Sequence, residues 1–150
     1  MLMPTRSTSH KDGLGDGLPF LKAYRWSLIW AAIILVLCLI PGDALPQIDF
    51  WQFSFEDKIA HFAVFAILAV LMVAAEQRRL GRERIGWASK LLIILVAIAF
   101  GWLTEQLQFQ FIPGRYGSVG DVIADAIGAI IGIVLAPYLL RKFRRRYSFI

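Results

Sequence analysis

Four long apolar stretches, Tyr24–Ile40, residues 57–75, Leu91–Phe111 and Val122–Leu140, constrain this chain more than anything else in it. Each is close to the ~20 apolar residues that an α-helix needs to cross a hydrocarbon core ~30 Å thick at ~1.5 Å per residue. In lipid a helix satisfies its own backbone N–H and C=O groups, so each stretch reads as a transmembrane helix. Pro41-Gly42 ends the first and Pro113 stops the third. The sequence predicts an all-α fold: an integral membrane bundle of four transmembrane helices. A chain that is 58% hydrophobic and 18% charged also departs from soluble domains, where about a quarter of residues are charged. Residues 1–23 are polar and glycine-rich and read as a disordered tail, residues 24–140 as the membrane domain, and residues 141–150 as a basic tail. A cleavable signal peptide competes for the first stretch. The long tail ahead of it and the lack of a small-x-small site after it weigh against that reading. The single cysteine, Cys38, excludes an intrachain disulfide and reads as a packed, inert thiol.

The net charge of +5 is distributed in a pattern that orients the helices. Arg6, Lys11, Lys22 and Arg25 precede or begin the first span, Arg78 to Lys90 lie between the second and third, and Arg141–Arg146 follow the fourth. Those three segments share one side. The other side holds Lys58 and Arg115 among Asp43, Asp49, Glu56, Asp57 and Asp121, with the aromatic residues Phe50, Trp51, Phe53 and Phe55 suited to a membrane interface. The positive-inside rule puts both termini in the cytoplasm. Because the cations flank apolar spans, they point to a membrane and not to nucleic acid.

With that topology, polar residues converge at the outer ends of the second, third and fourth spans. Asp57, Lys58 and His61 begin the second. Glu105 and Gln108 lie near the end of the third. Arg115 and Ser118 are in the connector, and Asp121 and Asp125 begin the fourth. His61 lies four residues beyond Asp57, and Asp125 four beyond Asp121, so each is ~6 Å deeper than its helix start. Asp121, Asp125, Gly128 and Gly132 share a stripe with Ala124 and Ala136, and small residues at such spacing let helices pack closely. The cytoplasmic halves of the spans read as lacking matching polar groups, which argues against a transport path.

Each residue also has a purely structural reading. Ser54-x-x-Asp57 and Ser118-x-x-Asp121 resemble capping boxes, so Asp57, Ser118 and Asp121 fit helix caps. Lys58 fits a side chain that snorkels to the headgroups, and His61 a hydrogen-bonded helix contact. Glu105 and Asp125 are harder to account for, because an intramembrane carboxylate costs a few kcal/mol unless paired or hydrated. Arg115 is the expected counter-charge for Glu105, Asp121 or Asp125. A structural network and a functional site both remain open at this point. No metal motif of diagnostic spacing is present, so neither a metal nor another cofactor is expected.

The chain resembles the VanZ-like family of small bacterial membrane proteins. The resemblance rests on Asp57-Lys58-x-x-His61-Phe62, Glu105-x-x-Gln108, Pro113-Gly114-Arg115 and Asp121-x-x-x-Asp125-x-x-Gly128-x-x-x-Gly132, and covers residues 30–140. One position departs: the family usually carries Asn where this chain has Asp125. The resemblance implies a multi-pass protein of the bacterial inner membrane, and, through the family's namesake, a link to teicoplanin-type glycopeptide resistance. The expected role is that of a cell-envelope accessory protein, not an enzyme, that meets membrane lipid and the headgroup of a lipid-linked envelope precursor. The alternative is a membrane-embedded enzyme acting on such a headgroup through His61, Glu105 and Asp125. Nothing in the sequence marks an oligomeric state.

Overall fold

The structure is a computed structural model that describes residues 17–40, 54–112 and 117–147. It contains four α-helices, α1 (Gly17–Leu39), α2 (Ser54–Leu80), α3 (Trp87–Phe111) and α4 (Val119–Tyr147), and no strand among the described residues. All four are long and apolar enough to cross a membrane. The all-α, four-span architecture expected from the sequence is what is found.

The helices run longer than the apolar stretches that announce them. The tail expected over residues 1–23 is helical from Gly17 onward. Pro19 falls in the first turn, where its missing N–H has no helical partner to lose. The basic connector expected over 76–90 shortens to residues 81–86, because α2 continues to Leu80 and stops at Gly81, whose φ of 60 suits glycine. The basic tail expected from residue 141 is helical through Tyr147. Apolar periodicity marks where a helix is buried in lipid, but Arg, Lys, Glu and Gln are good helix formers and carry a helix past that limit.

α2 is the central element. It packs on α4, α1 and α3, while α1 and α4 make no pair with each other among the described residues. α2 and α4 run parallel, both starting at the same end of the bundle, and their register is set by glycine. A Cβ at Gly128 would collide with the carbonyl oxygen of Phe62, and one at Gly132 with that of Ala66. The two backbones touch, as small residues at every fourth position permit. Phe65, Leu68, Ala69, Ala129 and Ile133 fill the core around this seam, joined by Ile34 of α1 and Ala97 of α3. The outside is apolar as well: Val36, Leu92, Trp102 and Val134 are all exposed. Lipid is as apolar as leucine, so such a bundle is held by close packing and internal polar contacts and not by expelling apolar groups from water.

The seam yields a stability prediction. Helix propensity alone favours Ala over Gly by about 1 kcal/mol. Gly128→Ala and Gly132→Ala should nevertheless destabilise by about 1–3 kcal/mol, because the added methyl overpacks a backbone contact. Gly86→Ala, where a Cβ meets nothing within 4 Å, carries no overpacking cost and should lose only what alanine costs at the N-cap of α3, about 0.5–1 kcal/mol. Thermal unfolding of the three variants in detergent measures the difference.

Candidate functional site

The starts of α2 and α4 and the end of α3 meet at one end of the bundle, and the seam register brings their polar residues together. Lys58 Nζ donates to Asp121 Oδ1 at 3.0 Å. One turn deeper, His61 Nδ1 lies 3.0 Å from Asp125 Oδ1. His61 Nε2 faces Glu105 Oε1 at 3.9 Å. His61, Glu105, Asp121 and Asp125 are buried, Glu105 to 3% exposure and Asp125 to 0%. Lys58 stays at the rim with its side chain 37% exposed.

Two glycines make room for these contacts. A Cβ at Gly101 would overlap the Asp125 carboxylate, so the bare backbone of α3 is what lets Asp125 sit between helices. A Cβ at Gly120 would lie 2.9 Å from Lys58 Cε, so Gly120 opens the path by which Lys58 reaches Asp121. Glu105 is held from the α4 side, where the backbone N–H of Ser118 donates to its Oε2 at 2.6 Å. Beside it, Thr104 is turned inward and returns its hydroxyl to the Gly101 carbonyl at 2.7 Å.

The contacts are incomplete. Glu105 Oε1 and Asp125 Oδ2 are buried and accept no hydrogen bond among the described residues. Buried polar atoms are paired in the great majority of cases, so these two acceptors beside one imidazole are an exception that leaves the cluster with spare acceptor capacity. With Asp125 as a carboxylate, the proton it shares with His61 sits on Nδ1, which leaves Nε2 facing Glu105. Asp57, His61 and Asp121 bring ligand atoms within 4.8 Å of one another, the group best placed among the described residues to hold a metal. The Lys58 ammonium already supplies a cation to Asp121 there.

The other candidate residues divide. Gln108 leaves this cluster and donates its amide to the Cys38 carbonyl at 2.9 Å, tying α3 to the last turn of α1. Ser118 contributes its backbone N–H. Lys58 is ion-paired across the seam instead of snorkelling free. Gly128 and Gly132 form the seam itself. Arg115, with its expected pairing, lies outside the described residues.

The bundle's other end corrects the expectation that it lacks polar groups. Glu76 is buried and fully paired: Tyr24 and Arg79 Nε donate to Oε2, both at 2.7 Å, while Arg79 Nη2 and Ser89 donate to Oε1 at 2.7 and 2.8 Å. Gln77 donates to the Glu83 carbonyl and accepts from Arg144. These contacts tie all four helices and the 81–86 connector together. The signal was present in the sequence, since Glu76 continues the buried stripe His61, Phe65, Leu68 and Val73 at helical spacing.

The Gly101 contact is testable. Gly101→Ala should destabilise by about 1–3 kcal/mol, since its methyl displaces a buried carboxylate from His61. In an Asp125→Ala background the same change should cost at least about 0.5 kcal/mol less, because the atom it strikes is gone. A double-mutant cycle by thermal unfolding in detergent reads this coupling.

Compared with known proteins, residues 18–141 match the family model described as VanZ/LLP1. No curated protein and no solved structure matches the chain.

Proposed function

The chain belongs to the VanZ/LLP1 family, and we propose that it is a cell-envelope accessory protein of the bacterial inner membrane that holds the polar headgroup of a lipid-linked envelope precursor. Both termini are cytoplasmic in this reading, so the His61 end lies in the outer leaflet, where such headgroups are displayed. The single observation that carries the reading is the pair of buried, orphaned oxygens on Glu105 and Asp125 flanking His61. Acceptors in a site of low dielectric favour ligands rich in donors, and the hydroxyl and amide groups of a sugar or peptide headgroup supply them. Lys58 at the rim is placed to meet a phosphate, at the cost of loosening its bond to Asp121. A role in glycopeptide susceptibility follows if the bound headgroup belongs to a cell-wall precursor.

A second reading, an enzyme acting on the same headgroup, is favoured by one contact. The hydrogen bond from His61 to buried Asp125 fixes the imidazole and leaves Nε2 available as a base, the arrangement in which a carboxylate orients a catalytic histidine. Glu105 then stands on the opposite side as a partner for proton transfer.

Two experiments test these proposals. Glu105→Gln and His61→Ala should abolish an envelope phenotype, read as altered glycopeptide susceptibility, while membrane abundance stays normal. Gly128→Leu should lower abundance instead, and if all three variants lose abundance together the cluster is only structural glue. Asp125→Asn separates the two readings. The amide keeps a polar contact to His61 but puts a donor in place of the orphan acceptor, so on the binding reading it weakens headgroup retention, whereas on the enzymatic reading it lowers product formation by ~10⁴-fold. Orientation is tested separately in a Cys38→Ala background. Cysteines at Ser7 and Ser148 should resist labelling from outside spheroplasts and one at Gln47 should react; the reverse pattern moves the site to the inner leaflet.

A further inference from the structure

Away from the polar site, a cleft of about 520 Å³ opens between α4 and the 81–86 connector. Val73 and Ile133 form its floor, and Ile85, Val134 and Tyr138 line its sides. Three cations, Arg84, Lys90 and Arg141, also line it. The one acidic residue of the lining, Glu83, is engaged by Arg144 at 3.6 Å. Arg84, Lys90 and Arg141 have no carboxylate partner among the described residues; Lys90 lies 5.1 Å from the ring centroid of Trp87.

The cleft sits where α2 turns into α3 through the short connector, at the ends of the apolar spans, where helices that cross a membrane would reach the headgroups. An apolar recess in that position offers little to water and much to a hydrocarbon chain. Cations lacking acidic partners at the same level attract phosphate, and basic pockets beside transmembrane helices are where anionic headgroups bind. A soluble anion would use the cations and leave the apolar walls uncovered. A zwitterionic lipid would cover the walls but bring its own ammonium against three positive charges. One ligand class satisfies both halves.

We infer that this cleft is a binding site for one anionic phospholipid, its phosphate held by Arg84, Lys90 and Arg141 and an acyl chain lying against Ile85, Val134 and Tyr138. The inference is independent of the headgroup site at the His61 end and needs only the membrane-spanning architecture. It gives the basic end of the bundle a specific ligand beyond a general attraction to anionic membranes.

The test is native mass spectrometry of the intact protein in detergent. Palmitoyl-oleoyl phosphatidylglycerol and the phosphatidylcholine of identical chains are added in equal amounts. The expected result is one retained phosphatidylglycerol, preferred over phosphatidylcholine, with each cation removed costing about fivefold in retention. Arg84→Gln/Lys90→Gln/Arg141→Gln should erase the preference. Val134→Trp, which fills the chain-binding wall and leaves every charge in place, should lower retention independently of any effect of the triple variant on folding. Arg78→Gln/Arg82→Gln, which removes two exposed cations from the same end outside the cleft, should leave the preference intact. Equal retention of the two lipids, an equal loss in the Arg78/Arg82 control, or unchanged retention in Val134→Trp would each overturn the inference.

Discussion

The contact between the backbones of α2 and α4 is what the remainder of the molecule depends on. Gly128 lies against the Phe62 carbonyl and Gly132 against the Ala66 carbonyl. Because the two helices run parallel, that approach also fixes which residues stand abreast nearer their starts. Asp121 comes to Lys58 and Asp125 to His61. A bulkier seam would separate those pairs by the width of a side chain and leave charged groups unpaired inside the bundle, an expensive state in a membrane. Packing and polar pairing are therefore a single device.

The two ends of the bundle use polar residues differently. At the Glu76 end both carboxylate oxygens are occupied by donors from three helices, and Gln77 is bonded through both its oxygen and its nitrogen. Such a satisfied network rigidifies and locks the connector in place. At the His61 end the pairing stops short among the described residues, with one oxygen of Glu105 and one of Asp125 left over. The two ends thus differ in how completely their buried carboxylates are paired.

Much of this was legible in the sequence, for identifiable reasons. Spans announce themselves through long apolar runs, and helical spacing places His61, Glu105 and Asp125 at a common depth, one turn below Asp57 and Asp121. Long side chains were less readable. Lys58 can snorkel or cross a seam, and no spacing rule decides between the two; the structure has it paired with Asp121. Gln108 sits one turn from Glu105, yet its amide serves a carbonyl of α1 that no spacing rule connects to it. Glu76 and Gln77 fall just beyond the apolar run that ends at residue 75, where hydropathy drops, although the helix continues to Leu80.

The parallel pairing of α2 with α4 has a consequence for how the protein is made. The two partners are separated in the chain by the whole of α3, so the seam cannot close until synthesis has delivered α4. Until then α2 enters the bilayer carrying a histidine whose carboxylate partner has not yet been translated. It is also the most apolar of the four spans, which is the property a helix needs to remain inserted while it waits. α3 arrives next with Glu105, and the α4 start that supplies both the Ser118 N–H and Asp125 comes last. Delivery of α4 thus closes the seam and completes the site in one event, and a chain stalled before α4 would be left with exposed polar groups by which membrane quality control can recognise it.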